Sequence, residues 1–337
     1  MKLNTQPKLE LLQALRAIAC VAVVFFHTDY QPGFGASGVN IFFVLSGVIM
    51  AMLLESESSP VRFIKKRFIR IIPLYWITTS VAAVVTWLYP HLRSSGNTGI
   101  GWEYIFSLMF IPYKAQNGNI VPLLGPGWSI NYEMVFYVSC AVGLWMSRGR
   151  PVLTTTLIVI SWWYFSKFST TVAANFYHRP VVLFFIAGIN LWLVNKYFKL
   201  RLRNKAAILS MLVLCTFLAY SEWFYNQHRQ GNALTLVTYY FLPVLIVYLG
   251  LVAESAFQET SLSLKKVFIQ IGDASYAIYL THLFIIHFFA LLSRKIHLNS
   301  NGIILASISV LTSIIFGLIV HRFFDEPLQK KLKLFTK

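Results

Sequence analysis

Acidic residues are scarce in this chain of 337 residues, which has 12 Asp and Glu against 29 Lys and Arg, and all charged residues together make up only 12%. Soluble globular domains carry about 25% charged residues, so half of the usual solvating charge is missing and a water-soluble fold is excluded. Cysteine is rarer still. Cys20, Cys140 and Cys215 all sit inside apolar runs, where cysteine behaves as a small core residue, and their spacing fits neither a disulfide framework nor a zinc site. No H-x3-H or H-E-x-x-H pattern occurs, so no metal is expected. A P-loop and a G-x-G-x-x-G fingerprint are missing too, as are internal repeats and low-complexity tracts. No small-residue cleavage site follows the first apolar run, which therefore reads as a retained helix.

What the chain has in abundance is apolar surface. Hydrophobic residues make up 57% of it, with 28 Phe, 17 Tyr and 9 Trp. Apolar stretches of about 20 residues, each long enough to cross a bilayer as a helix, recur along almost the whole length. The expected fold is all-α, a polytopic integral membrane protein with a single transmembrane domain over 1–337 and about ten transmembrane helices around a central cavity. The spans fall at roughly 9–29, 36–54, 70–89, 127–147, 151–167, 178–195, 206–224, 233–252, 272–292 and 303–322. The stretch WEYIFSLMFIP (102–112) has only 11 residues and suits an interfacial or re-entrant segment.

Orientation follows from the basic residues. With the N-terminus in the cytoplasm and 102–112 not crossing, 21 Lys and Arg fall on the cytoplasmic side and 7 on the other. A crossing at 102–112 would reverse that asymmetry, so both termini are expected in the cytoplasm. The net charge of +17 would point to nucleic acid on a soluble protein. Here it faces a bilayer surface, as topology signal or as anion-binding charge, and no nucleic-acid partner is expected.

Inside the first span, Arg16 and His27 are 11 positions apart. That is three turns plus roughly 20°, so they share a helix face with a rise of about 16 Å between them. Ionisable groups in a span usually face the protein interior or a water-filled cavity. A cation low and an imidazole high on one wall suit an anion-holding bottom and a proton-handling top. Taken singly, His27 also reads as an interfacial anchor and Arg16 as a snorkelling side chain.

Two further stretches favour chemistry. In VRFIKKRFIR (61–70), Arg67 and Arg70 share a helix face at i and i+3, and paired guanidiniums suit bidentate capture of phosphate oxygens at the cytoplasmic mouth. In GPGWSINYEMVFY (125–137), Glu133 reads as the only carboxylate well inside a span, in a polar stripe with Ser129 and Tyr137. Its depth is comparable to that of His27, which makes it a candidate partner for the imidazolium. In GDASYAIYLTH, Ser275, Tyr279 and His282 fall on one face, and in FFVLSG the small pair Ser46 and Gly47 reads as close helix packing.

Taken together these motifs resemble the membrane-bound acyltransferase 3 family, multi-span enzymes that O-acylate carbohydrates and some other acceptors. The resemblance covers nearly the whole chain. It rests on the R-x10-H pair Arg16 and His27, the FFxxSG element, R-x-x-R at Arg67 and Arg70, GWSINYEMVFY, GDASYAIYLTH and the terminal FFDEPLQK; Val48 stands where an aromatic often follows FFxxSG. The family implies ten spans, an acyl-CoA donor (acetyl-CoA foremost) and His27 as the catalytic base, with Glu133 supporting it. Arg67, Arg70 and Arg16 would bind donor phosphates. Ser129, Tyr137, Ser275, Tyr279, His282 and Trp128 would line the substrate path, Trp128 with Trp102 and Tyr113 as sugar-stacking or membrane-belt aromatics. It further implies a carbohydrate acceptor, multi-pass residence in the bacterial inner membrane, and, for this chain, no fused extracytoplasmic domain. A proton-coupled secondary transporter, a non-catalytic membrane scaffold and acylation of a small cytosolic acceptor are the competing readings.

Overall fold

The computed structural model describes residues 9–30, 33–89, 101–199, 201, 205–228, 233–260, 264–296 and 302–334. Of the residues used above, Lys2, Lys8, Arg93, Arg203, Arg229, Lys337 and positions 90–100 of the long outer loop lie outside the described residues. Within them the fold is all-helical. The order is α1 (Glu10–Phe26), α2 (Gly38–Ser56), α3 (Pro60–Leu88), α4 (Trp102–Leu108), α5 (Gly127–Met146), α6 (Pro151–Ser166) and α7 (Val172–Tyr177), then α8 (Leu183–Phe198), α9 (Lys205–His228), α10 (Ala233–Val252), α11 (Glu254–Gln258), α12 (Lys265–Lys295), α13 (Ile303–Val320) and α14 (Glu326–Lys333).

Among the described residues, five continuous helical stretches are long and apolar enough to cross a bilayer: Gly38–Ser56, Pro60–Leu88, Pro180–Phe198, Lys265–Lys295 and Ile303–Lys333. Shorter apolar helices cover Pro151–Ser166, Ile208–Phe224 and Thr238–Val252, and α1 and α5 lie at the two remaining positions. The chain is a polytopic membrane protein. One boundary differs from the sequence expectation in a way that matters. Ser59 caps α3 by accepting from the Arg62 amide at 3.3 Å, and Pro60 sits at its first position. The helix therefore starts ten residues before position 70, and Arg67 and Arg70 lie well inside it.

The 102–112 segment does not cross. Its helix α4 has seven residues, a length of about 10 Å against a hydrocarbon core of about 30 Å. It ends at Leu108, two residues before Phe110, whose backbone is left-handed at φ 59°, and it is tied sideways to α3. The Tyr75 hydroxyl donates to the Ser107 carbonyl at 3.1 Å and the Trp76 indole to Leu108 at 2.9 Å. Helices α3 and α5 run antiparallel, with Tyr75 against Gly127 at the start of α5 and Arg67 near Glu133 and Tyr137 further along it. That is the geometry of two consecutive crossings with α4 resting between them on one side.

The chain packs as two compact units, each assembled from two stretches, 1–45 with 193–318 and 46–192 with 319–337. In the first, α1 and α12 lie side by side and parallel, Gln13 against Gly272, Arg16 against Ser275 and His27 against His282. Gly272 permits this approach, since a Cβ there would stand 2.1 Å from the Gln13 carbonyl oxygen. Cys20, Val24, Ala274, Ile278, Ile286 and Val310 form the core beneath. The N-terminus of α1 has no side-chain cap of its own. The Glu254 carboxylate of α11 accepts from the Glu10 and Leu11 amides at 2.6 and 3.0 Å, placing an anion where helix dipoles favour one. In the second unit α3, α5 and α6 pack together, and Phe136 stacks on Phe185 with ring centroids 4.3 Å apart. Gly47 sits so close to α8 that a Cβ would stand 2.2 Å from the Phe185 carbonyl oxygen, the close packing expected of FFVLSG.

Candidate active site

In the first unit the two motif residues of α1 meet the polar stripe of α12. The Arg16 guanidinium donates to Ser275 Oγ from Nε at 3.3 Å and from Nη2 at 3.0 Å. His27 follows the last residue of α1 with the backbone still in helical conformation, so the common face of Arg16 and His27 is preserved. Its Nδ1 lies 2.8 Å from the Val23 carbonyl oxygen. A carbonyl can only accept, so Nδ1 carries the hydrogen and Nε2 holds the lone pair. The ring is exposed and stands 5.0 Å from the ring of buried His282. The Tyr279 ring lies 5.8 Å from His282 on its other neighbour position along α12. Ser275 and His282 of the stripe thus face α1, and Tyr279 packs between His282 and Phe42 of α2.

In the second unit the polar side chains around Glu133 engage one another. Ser46 Oγ donates to Glu133 Oε1 at 2.6 Å, and the buried Tyr137 hydroxyl, one turn on, also hydrogen-bonds to Glu133. Glu133, Tyr137, Arg70 and Cys140 are the electrostatic neighbours of the Arg67 guanidinium. The basic run at 61–70 divides by face. Lys66 and Arg62 pair with Glu57 at 2.9 and 3.4 Å, whereas Arg67 belongs to the side that looks at α5. Lys333 of α14, which packs against α3, lies in the field of Arg70 and Arg67. Three cations therefore gather near one carboxylate, a composition that suits a polyanionic ligand.

A family model described as an acyltransferase domain matches residues 10–322, almost the whole described chain. The chain belongs to the acyltransferase 3 family. The exopolysaccharide production protein ExoZ of Rhizobium meliloti (strain 1021) is 32% identical over 322 residues, covering 91% of this chain and 95% of that protein. The putative membrane-bound transacylase BcsY of Komagataeibacter xylinus is 28% identical over 137 residues, 37% of this chain and 34% of its own length. The peptidoglycan O-acetyltransferase OatA of Listeria monocytogenes is 27% identical over 140 residues, 38% of this chain and 22% of the relative. No solved structure matches. Family membership makes the chain a membrane acyltransferase and sets aside the transporter and scaffold readings.

The expected partnership of His27 and Glu133 joins residues of different units; within its own unit Glu133 is engaged by Ser46 and Tyr137, and His27 by Val23 and His282. The Ser129 hydroxyl donates to the Pro126 carbonyl at 3.1 Å. Trp128 is half-buried, edge-on to Tyr132 at 6.1 Å. Tyr113 is no sugar platform, being buried with its hydroxyl 3.1 Å from Ser107 Oγ; burial pushes that hydroxyl up to about 12. Trp102, by contrast, is exposed.

The structure also adds residues. Ser46, read as a packing residue, is the hydroxyl partner of Glu133, and its signal was the FFVLSG element itself. Glu133 is not the only carboxylate within a span, because Glu222 of α9 is buried as well. It accepts from the Gly35 and Ser37 amides at 2.7 Å each, and from the Ser37 hydroxyl. Gly35, at φ 109°, turns the chain tightly against Ala22 of α1, so Glu222 clamps the loop that follows His27. Its signal was an acidic residue inside the 206–224 apolar stretch.

Proposed function

We propose that this acyltransferase moves an acyl group, acetyl foremost, from cytoplasmic acyl-CoA to a hydroxyl of a surface or exported carbohydrate, in a bacterial inner membrane with both termini inside. One observation carries the chemistry. His27 is an exposed imidazole whose Nδ1–H is committed to Val23, so its Nε2 is the basic nitrogen and is already in the tautomer a general base requires. Near-full-length similarity to an exopolysaccharide production protein supports a carbohydrate acceptor.

The acceptor hydroxyl oxygen attacks the thioester carbonyl carbon while its proton passes to His27 Nε2. The carbon–sulfur bond then breaks, and the proton leaves with the coenzyme A sulfur. Transfer is direct, from thioester to hydroxyl. Arg67, Arg70 and Lys333 bind the donor phosphates through charge-assisted hydrogen bonds. Glu133, held by Ser46 and Tyr137, orients the Arg67 guanidinium and offsets its charge when no donor is bound. Arg16 fixes the register of α1 on α12 and adds a cation below His27. The rise of about 16 Å along α1 from Arg16 to His27 is on the order of the length of the pantetheine arm.

Binding of acetyl-CoA and of CoA to the full chain in nanodiscs tests the donor assignment without knowledge of the acceptor. The double variant Arg67→Ala/Arg70→Ala is expected to weaken binding by about 2–4 kcal/mol, the scale of two charge-assisted hydrogen bonds. Undiminished binding in that variant removes the phosphate role. His27→Ala is expected to bind donor normally and to lose about 10²- to 10⁴-fold in transfer rate.

A further inference from the structure

We propose that His282 is a positioning residue for the proton that His27 collects, its Nε2 accepting a hydrogen bond from the Nε2–H of the newly formed His27 imidazolium. The inference rests on His27 acting as the base.

His282 is fully buried, and its Nδ1 lies 2.6 Å from the Tyr279 carbonyl oxygen. As with His27 on Val23, that nitrogen must carry the hydrogen, which leaves a lone pair on Nε2. This Nε2 is shut away from solvent and has no hydrogen-bond partner among the described residues. A buried acceptor left without a donor is costly, and buried polar atoms are nearly always paired. The imidazole beside it is His27, 5.0 Å between ring centroids and tilted by 65°.

Two neutral rings, each with Nδ1–H spent on a backbone carbonyl, present two acceptor nitrogens and no donor. The buried His282 Nε2 lacks a donor at rest and gains one when a proton arrives on His27. The reaction supplies that proton. The acceptor O–H bond breaks as its oxygen bonds to the thioester carbon, and His27 Nε2 takes the hydrogen and shares it with His282. When the carbon–sulfur bond breaks, the proton goes to the sulfur. Alcohol and thioester become ester and thiol, and His282 ends as it began.

The other titratable groups near the pair have different engagements. Asp29 and His287 interact with one another as well as lying close to His27. Tyr279 packs beside His282. Further along α1, Arg16 is bound by Ser275 and the Cys20 thiol donates to the Ser275 carbonyl at 3.6 Å.

The test uses the full chain in nanodiscs, with acetyl-CoA as donor and the exported glycan fraction of the host as acceptor, free CoA thiol being read across pH 5.5 to 8.5. His282→Phe keeps a ring but has no acceptor atom. It is expected to lower kcat by about 10²-fold, to leave acetyl-CoA affinity within about twofold, and to move the acid limb of kcat/KM to lower pH, because the imidazolium has lost its acceptor. His282→Gln, whose amide oxygen can accept, is expected to recover at least tenfold of that loss. His282→Leu provides the same comparison should the phenylalanine variant fail to bind donor. Wild-type kcat and an unmoved pH profile in His282→Phe and His282→Leu would overturn the inference while leaving His27 in place. So would equal losses in the Phe and Gln variants with donor affinity falling in parallel, which is the mark of packing alone. Full turnover in His27→Ala would overturn the base assignment and this inference with it.

Discussion

In the unit that holds α1 and α12, Arg16 rests on Ser275, and the imidazoles of His27 and His282 rest their inner nitrogens on backbone carbonyls. In the unit that holds α3 and α5, it is built from permanent charges, Glu133 held by Ser46 and Tyr137 beside Arg67. The difference follows from what each group must do in an apolar surrounding. A guanidinium does not discharge, so it has to be compensated whether or not a ligand is present, and breaking such a compensation leaves an uncompensated charge. An imidazole can stay neutral at low cost and take up charge only during the reaction. On the proposed function, one unit holds the donor's anionic groups and the other briefly holds a proton.

Stability measurements can break this comparison. The largest effect is expected for Glu133→Ala, which strips Arg67 of its carboxylate. Glu133 is the carboxylate in the field of Arg67, and it also accepts from Ser46, so its loss is expected to cost about 1–3 kcal/mol, the scale of a group left without its partner. Thermal unfolding in nanodiscs should show a clear fall for Glu133→Ala, partial recovery in Glu133→Ala/Arg67→Leu, and almost no change for His27→Ala. Equal falls for the histidine and glutamate variants would erase the distinction between the units. A comparable effect is expected at the glycine seams. Gly272→Ala and Gly47→Ala each drive a Cβ to within 2.1 and 2.2 Å of a backbone oxygen, an overpacking worth about 1–3 kcal/mol. Because Gly272 seats α1 on α12, its variant should also lower transfer rate more than donor affinity; the reverse split would detach that seam from the histidine chemistry. The smallest effect belongs to Lys333→Ala. An exposed cation should contribute less than about tenfold to acetyl-CoA affinity, and that contribution should fade as salt is raised. A salt-independent loss would mean that the side chain is a fixed, desolvated ligand.

Much of this was legible in the sequence because helical periodicity is a local property. The 11-residue spacing of Arg16 and His27 and the shared face of Ser275, Tyr279 and His282 each follow from 100° per residue, and the structure lays one face on the other. The short α4 was legible from length, since 11 apolar residues cannot cross. Partners across helices were not legible. Depth in the membrane suggested Glu133 for His27, and depth fixes height but says nothing about azimuth; the Ser46 hydroxyl that FFVLSG brings to Glu133 was not legible in the sequence either. Glu222 was missed for a related reason: a carboxylate near the end of an apolar stretch looks solvated until the Gly35–Ser37 loop is folded onto it. The early start of α3 was obscured because five basic residues in 62–70 resemble a loop by charge, while Ser59 and Pro60 already signal a helix by shape.

The helix that leaves the last span contains a π-helical turn at His321–Asp325, with buried Asp325 accepting from His321 and from Gln329 at 3.1 and 2.9 Å. A π turn holds one more residue than an α turn, so everything after it is rotated by about 100° relative to an uninterrupted helix. Lys333 therefore faces Arg67 and Arg70 by virtue of arithmetic upstream of it. Deleting a single residue from His321–Asp325 would swing the whole basic tail to another compass bearing without altering one of its side chains. Chain length at that turn is thus a dial on the tail, separate from its composition.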